Sequence, residues 1–179
     1  MKRQQQGFTL IELVVVIVIL AILSAFALPR FLSLTEDARV ASIEGIGGSI
    51  KSASGLVRGA CVIDPNCDDN NSNQDITLSN PSGDPILDGG EIKLTNGYAA
   101  ASVDGILQAA QVETSGTGGG ATIDNDRLIL SISGSFGSGR SITISAEGAS
   151  TAGNCQVEYV EADGSGAGPD ITVDTSDCS

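Results

Sequence analysis

The sequence predicts an α+β protein: a long N-terminal helix, half membrane-spanning and half amphipathic, packed on a small antiparallel β-sheet head with a C-terminal disulfide-bounded loop. Three observations predict it. An apolar run opens the chain at residues 8–28. Behind it, Ile43, Ile46, Ile50, Ala53 and Val57 recur at spacings of 3, 4, 3 and 4, the stripe of a helix lying on a core. The C-terminal half then carries segments of two-residue alternation. A chain of 179 residues has room for one head of ordinary size plus the apolar segment. The expected divisions are a transmembrane helix at 8–28, its amphipathic continuation at 29–58 and a globular head at 59–179.

The 21 residues of the apolar run reach about 30 Å as a helix, enough to cross a bilayer. Its polar members are Thr9, Glu12 and Ser24. Lys2 and Arg3 precede the run, so the N-terminus is expected in the cytoplasm and everything after the span outside. Ala25 and Ala27 offer only a weak secretory cleavage site, which favours an anchor. Glu12 does not suit a plain anchor. A carboxylate one turn into a span costs about 3 kcal/mol even on the gentlest insertion scale, and such groups have a partner or a function. A cut after Gly7 would supply one, because Phe8 would then carry an α-amine. Within one helix that amine and Glu12 stand four residues apart. Between stacked copies, the amine of an incoming chain can neutralise Glu12 of its neighbour and fix the axial register.

Pro29 cannot donate to the carbonyl of Ala25, so a bend or local melting is expected there. Gly45, Gly47 and Gly48 each weaken a helix interior by about 1 kcal/mol relative to alanine. Either they admit a close neighbour or the helix is weak at that point.

In the head, residues 59–90 read as irregular, and the polar stretch at 64–75 reads as a surface loop. A short strand and a turn at Asn96-Gly97 follow. Residues 100–111 predict a short helix capped by Ser102, and 114–121 a linker. Strands are expected at 127–133, 141–147 and 156–162, with a shorter one near the end. Leu128, Leu130 and Ile132 share one face of the first, and Ile142, Ile144 and Ala146 one face of the second.

Residues 59–179 hold three basic residues (Lys93, Arg127, Arg140) and eighteen acidic ones, a field that repels phosphate backbones; no nucleic-acid partner is expected. Histidine is absent and no nucleophile-base-orienter set can be assembled, so no catalytic residue and no cofactor are assigned. The four cysteines permit three pairings, and proximity favours Cys61 with Cys67 and Cys155 with Cys178. A four-cysteine zinc site lacks both a C-x2-C pair and a histidine, and no metal is assigned. Disulfides require an oxidising compartment, in agreement with the outward topology. Asp64, Asn66, Asp68, Asn70, Ser72 and Asp75 resemble an EF-hand in spacing, but Asp69 stands where glycine is needed, so a solvated loop is expected rather than a calcium site. Residues 134–141 fit a phosphate loop only with Arg140 in place of lysine. They join two strand candidates, which makes them a hairpin turn.

The stretch Gly7-Phe8-Thr9-Leu10-Ile11-Glu12-Leu13, after a short basic leader and before an apolar run, resembles the class III signal of type IV prepilins. The resemblance implies the type IV pilin fold, a leader at 1–7, cleavage between Gly7 and Phe8 by a prepilin peptidase, and N-methylation of Phe8. It further implies a homopolymer built through the helix with Glu12 as assembly residue, a kinking Pro29, and a C-terminal loop bounded by Cys155 and Cys178. Partners would be the inner membrane, the pilus assembly machinery and an unknown surface ligand. Within that family the chain is most similar to the MSHA (mannose-sensitive haemagglutinin) group, through Ala38-Arg39, residues 96–106, residues 155–162 and Asp177-Cys178. The expected function is a pilin that polymerises into a surface filament for attachment, biofilm formation or motility. The alternative is a minor pilin or a type II secretion pseudopilin. The expected location is a single pass of the inner membrane with a periplasmic head, then an extracellular pilus.

Overall fold

The computed structural model describes residues 8–65, 67–71, 74–77, 91–115, 122–123, 128–135, 137–149 and 152–179. The leader at 1–7, most of the linker at 114–121 and Arg127 lie outside the described residues. A single helix, α1 (Leu10–Ile63), runs for 54 residues, about 80 Å. It passes Pro29 without interruption, so no local melting occurs and any change of direction there is a bend within a continuous helix. Its end lies five residues beyond position 58, where the amphipathic signal stops. Val62 and Ile63 face solvent and carry no periodic signal, yet the turn continues until Asp64 takes the extended conformation that Pro65 imposes on the residue before it. The Asp64 N–H closes the helix on the carbonyls of Ala60 and Cys61.

A three-stranded antiparallel sheet follows, made of β1 (Gln74–Thr77), β2 (Glu91–Thr95) and β3 (Tyr98–Ala99). Strand β1 lies in the segment expected to be irregular: its two-residue alternation is too short to register against Asp and Asn neighbours. Between β2 and β3, Asn96 (φ 52°) and Gly97 (φ 78°) both enter the left-handed region, as a two-residue hairpin requires. The helix expected at 100–111 is instead a five-residue π-turn at Val103–Leu107. Gly105 inside it is not helical (φ −108°, ψ −106°), and Ser102 makes no side-chain capping bond. The cause is close packing: a Cβ on Gly105 would stand 2.3 Å from the carbonyl oxygen of Ala100, which receives the Ile106 N–H at 2.9 Å.

The larger sheet is a six-stranded antiparallel meander of β4 (Thr114–Ser115), β5 (Thr122–Ile123), β6 (Leu128–Ser133), β7 (Ser141–Ala146), β8 (Gln156–Val160) and β9 (Asp170–Asp174). Part of the expected linker is thus strand β4. The register sets Leu130, Ile144, Val157 and Val173 side by side across four strands. This row faces α1. Ile43, Ile50 and Val57 from the helix stripe are fully buried against the head, as the 3-and-4 spacing predicts, and Ala53 nearly so. Of the three glycines, Gly47 admits a close neighbour: its Cα lies where a Cβ would meet Val173 Cγ2 at 2.6 Å, while Gly45 and Gly48 face open space. The structure pairs Cys61 with Cys67 and Cys155 with Cys178. Strands β6 and β7 pair as a hairpin, and between them Gly134, Gly137 and Gly139 take positive φ.

Candidate functional site

At its N-terminus α1 carries a reciprocal cap. Thr9 has extended backbone angles, and its Oγ1 accepts the Glu12 N–H at 3.3 Å. Glu12 folds back so that its Oε2 accepts both the Thr9 N–H (2.9 Å) and the Thr9 Oγ1–H (2.7 Å). This is a capping box, and its signature was present in the sequence as Thr-x-x-Glu before an apolar run. The sequence expectation pairs Glu12 with the amine of Phe8, within one helix or between stacked copies, and does not include Thr9. Phe8, just before the box, is 91% exposed.

From Leu10 to Ala27 the helix is long and apolar enough to cross a membrane, and none of it is buried in the head. The hydroxyls in and just before it are nevertheless paired from within: Ser24 Oγ donates to the carbonyl of Leu20 at 2.7 Å, and Thr9 Oγ1 donates to Glu12 Oε2 at 2.7 Å. A helix so arranged can sit in hydrocarbon or against other apolar helices without leaving a hydroxyl unpaired. Leu10, Leu13, Ile17, Leu20 and Phe26 remain exposed around it, a surface that water does not favour.

A second polar constellation lies in the head, where a cleft of about 150 Å³ opens between Arg58, Asp69, Asn96, Tyr98 and Gly164. Arg58, on the last turns of α1, forks onto both carboxylate oxygens of Asp69, the second contact being Nη2 to Oδ2 at 3.1 Å. Its guanidinium also stands 4.9 Å from the centre of the Tyr98 ring. The hydrogen bond from Arg58 holds the Asp69 carboxyl below the usual aspartate range and raises Arg58 in turn. Asn96 Nδ2 donates to the carbonyl of Ala162 at 2.8 Å. These groups therefore tie the end of the helix, the segment just after Cys67, the Asn-Gly hairpin and the C-terminal loop to one another. Asp69, the residue that blocks the EF-hand pattern, is engaged by Arg58, and Asp68 Oδ1 accepts the Asn70 N–H within its own turn. Among the described residues no group of three or more His, Cys, Asp or Glu side chains is placed to hold a metal ion.

The predicted site residues thus fall in separate places. Phe8 and Glu12 stand at the exposed end of the helix, Pro29 within it, Cys61 and Cys67 at its far end, and Cys155 and Cys178 at the base of the sheet. Gly7 lies outside the described residues.

Residues 2–28 match the family described as the prokaryotic N-terminal methylation motif. The chain is 43% identical over 63 residues to the type IV narrow pilus major component of Thermus thermophilus, covering 35% of this chain and 54% of that protein. It is 33% identical over 115 residues to a fimbrial protein of Dichelobacter nodosus, covering 62% of this chain and 60% of that one. It is also 50% identical over 44 residues to the type II secretion system core protein G of Pseudomonas aeruginosa, covering 25% of this chain and 31% of the relative. In each case the chain spans less than two thirds of the relative's length. No solved structure matches the chain. A long N-terminal helix laid on an antiparallel sheet, the Cys155–Cys178 bridge and the matched methylation motif give this chain the type IV pilin fold, and its similarity to pilins supports a type IV pilin.

Proposed function

We propose that the chain is a structural subunit of a type IV pilus. The observation that carries this reading is the wholly exposed apolar helix from Leu10 to Ala27 with a carboxylate, Glu12, near its tip. Such a surface is stable only in lipid or among copies of itself. Cleavage between Gly7 and Phe8 by a prepilin peptidase, followed by methylation of the new amine, turns a membrane anchor into a polymerisation element. The Phe8 amine of an incoming copy then meets Glu12 of its neighbour. Hydrophobic burial supplies most of the cohesion and the charge pair mostly register, because desolvation offsets much of its Coulomb gain.

The protein begins as a single-pass inner-membrane protein with its head in the periplasm and ends in an extracellular filament drawn out by the pilus assembly machinery. The acidic head keeps that filament soluble and offers its outer surface for attachment, in the manner of an MSHA-type pilin. A second reading, a minor pilin or type II secretion pseudopilin, is favoured by the identity shared with a secretion-system core protein over 44 residues.

The test is the intact mass and N-terminal sequence of protein sheared from cells. Abundant filament protein beginning at methylated Phe8 supports the pilus reading, and cleaved chain retained in the cell envelope supports the pseudopilin. Only membrane-bound chain retaining the leader would overturn both.

A further inference from the structure

The capping box bears on how Glu12 can serve both a membrane-embedded monomer and a filament. We propose that Thr9 is the positioning residue for Glu12: it holds the carboxylate folded onto the helix terminus with one oxygen saturated and the other open to a neighbouring copy. The inference rests on the assembly role of Glu12 proposed above and assigns that role its geometry. Oε2 receives both Thr9 donors, at 2.9 Å from the backbone N–H and 2.7 Å from the hydroxyl. Among the described residues no hydrogen bond to Oε1 is present, so that oxygen keeps its capacity to accept from a cation.

Two consequences follow for the monomer. The charge is delocalised onto a helix terminus, where the orphan amide groups and the positive end of the dipole favour it, so the carboxylate is tolerated at the edge of the bilayer. The side chain is also already fixed in one rotamer, so the rotamer entropy of ordering it does not oppose assembly. The hydroxyl carries the shorter of the two bonds to Oε2. Removing it leaves a carboxylate held by one backbone N–H and free to swing away from the helix terminus.

The experiment uses cells producing the full-length chain as wild type, Thr9→Val, Thr9→Ser, Glu12→Gln and the double variant Thr9→Val/Glu12→Gln. Leader removal is read by mass, and sheared filament is measured per cleaved chain. Thr9→Val, which keeps the shape and loses the donor, should be inserted and cleaved yet yield about tenfold less filament, the scale of one charge-assisted hydrogen bond. Thr9→Ser restores the donor and should restore the yield. The double variant should be no worse than Glu12→Gln, since Thr9 acts through that carboxylate. Wild-type yield from Thr9→Val beside a defective Glu12→Gln would overturn the positioning role alone. Normal yield from Glu12→Gln would overturn the underlying assembly reading. A Thr9→Val chain that is never cleaved, or losses that multiply in the double variant, would show that Thr9 acts independently of Glu12 and would also overturn the proposal.

Discussion

Arg39 Nη1 donates to the main-chain carbonyl of Cys178 at 2.9 Å, joining α1 to a residue 139 positions further along the chain. Cys178 is fully buried and bridged to Cys155, so this one guanidinium fastens the helix to the closing disulfide of the head. Its second amino group passes within 3.1 Å of where a Cβ on Gly148 would stand, at the turn between β7 and β8. The stalk and the end of the head are therefore coupled through a charged donor placed just beyond the apolar stripe.

Replacing Arg39 by methionine keeps the aliphatic stem and removes the donor. A hydrogen bond from a charged group to a buried carbonyl contributes about 1.5 kcal/mol or more, so the full chain in detergent should lose about 4 °C in Tm. The disulfide should stay intact. A melting temperature unchanged from wild type would show that the contact is incidental.

Much of this architecture was legible because its signals are local. The stripe from Ile43 to Val57 and the alternations in β6 and β7 each repeat along one element, so burial on one side imposes a period that can be read directly. What escaped reading depends on partners distant in sequence. Glu161 is buried at 2% exposure, and its carboxylate accepts from Thr95 Oγ1 at 3.3 Å, Ala101 N at 3.0 Å and Gly137 N at 2.7 Å. Those donors lie on three segments 24 to 66 residues away, so in the sequence Glu161 looks like any surface glutamate at the end of a strand. The π-turn at Val103–Leu107 is a tertiary override of the same kind: the packing of Gly105 on Ala100 sets the backbone, and a helix-like pattern yields to it. The capping box had a legible signature in Thr9-x-x-Glu12, but a carboxylate inside an apolar run reads equally as a charge in need of a counter-ion, and the sequence does not separate the two roles.

Gly47 and Gly48 are adjacent and carry opposite predictions. In Gly47→Ala the new Cβ would press on Val173 Cγ2 at 2.6 Å and approach Val157 Cγ2 at 3.6 Å. Strand β9 must then shift from the helix, and overpacking of this kind costs about 2 kcal/mol, more than the helix gains from alanine. At Gly48 nothing lies within 4 Å, so alanine there should stabilise the chain by about 1 kcal/mol. Thermal melts of the two variants in detergent should move in opposite directions. Filament yield adds a second readout at Gly48: a stabilised chain that assembles poorly would show that a neighbouring copy comes close to the open face.

Asp69 supplies a pH dependence whose sign follows from its partner. The hydrogen bond from Arg58, aided by the guanidinium charge, holds this carboxyl below its ordinary value of 3.8. A group depressed in the folded state contributes stability that is fully present above the ordinary value and lost as pH falls through the folded one. The loop that carries Asp69 should therefore stay docked at neutral and mildly acidic pH and loosen below about pH 4. The Asn96 N–H reports on that docking, because it donates to the carbonyl of Asn71 at 2.9 Å across the same junction. Its hydrogen-exchange protection should be flat above about pH 4.5 and fall below about pH 3.5 in the wild-type chain. Asp163 and Asp174 are also held low, by Ser165 and Ser176, so acid acts at more than one place and a control is needed. Asp69→Asn provides it: in that variant protection at Asn96 should be lower at neutral pH and should not step down across the same window. Identical protection profiles in the two chains would mean that the Arg58–Asp69 pair does not hold the loop.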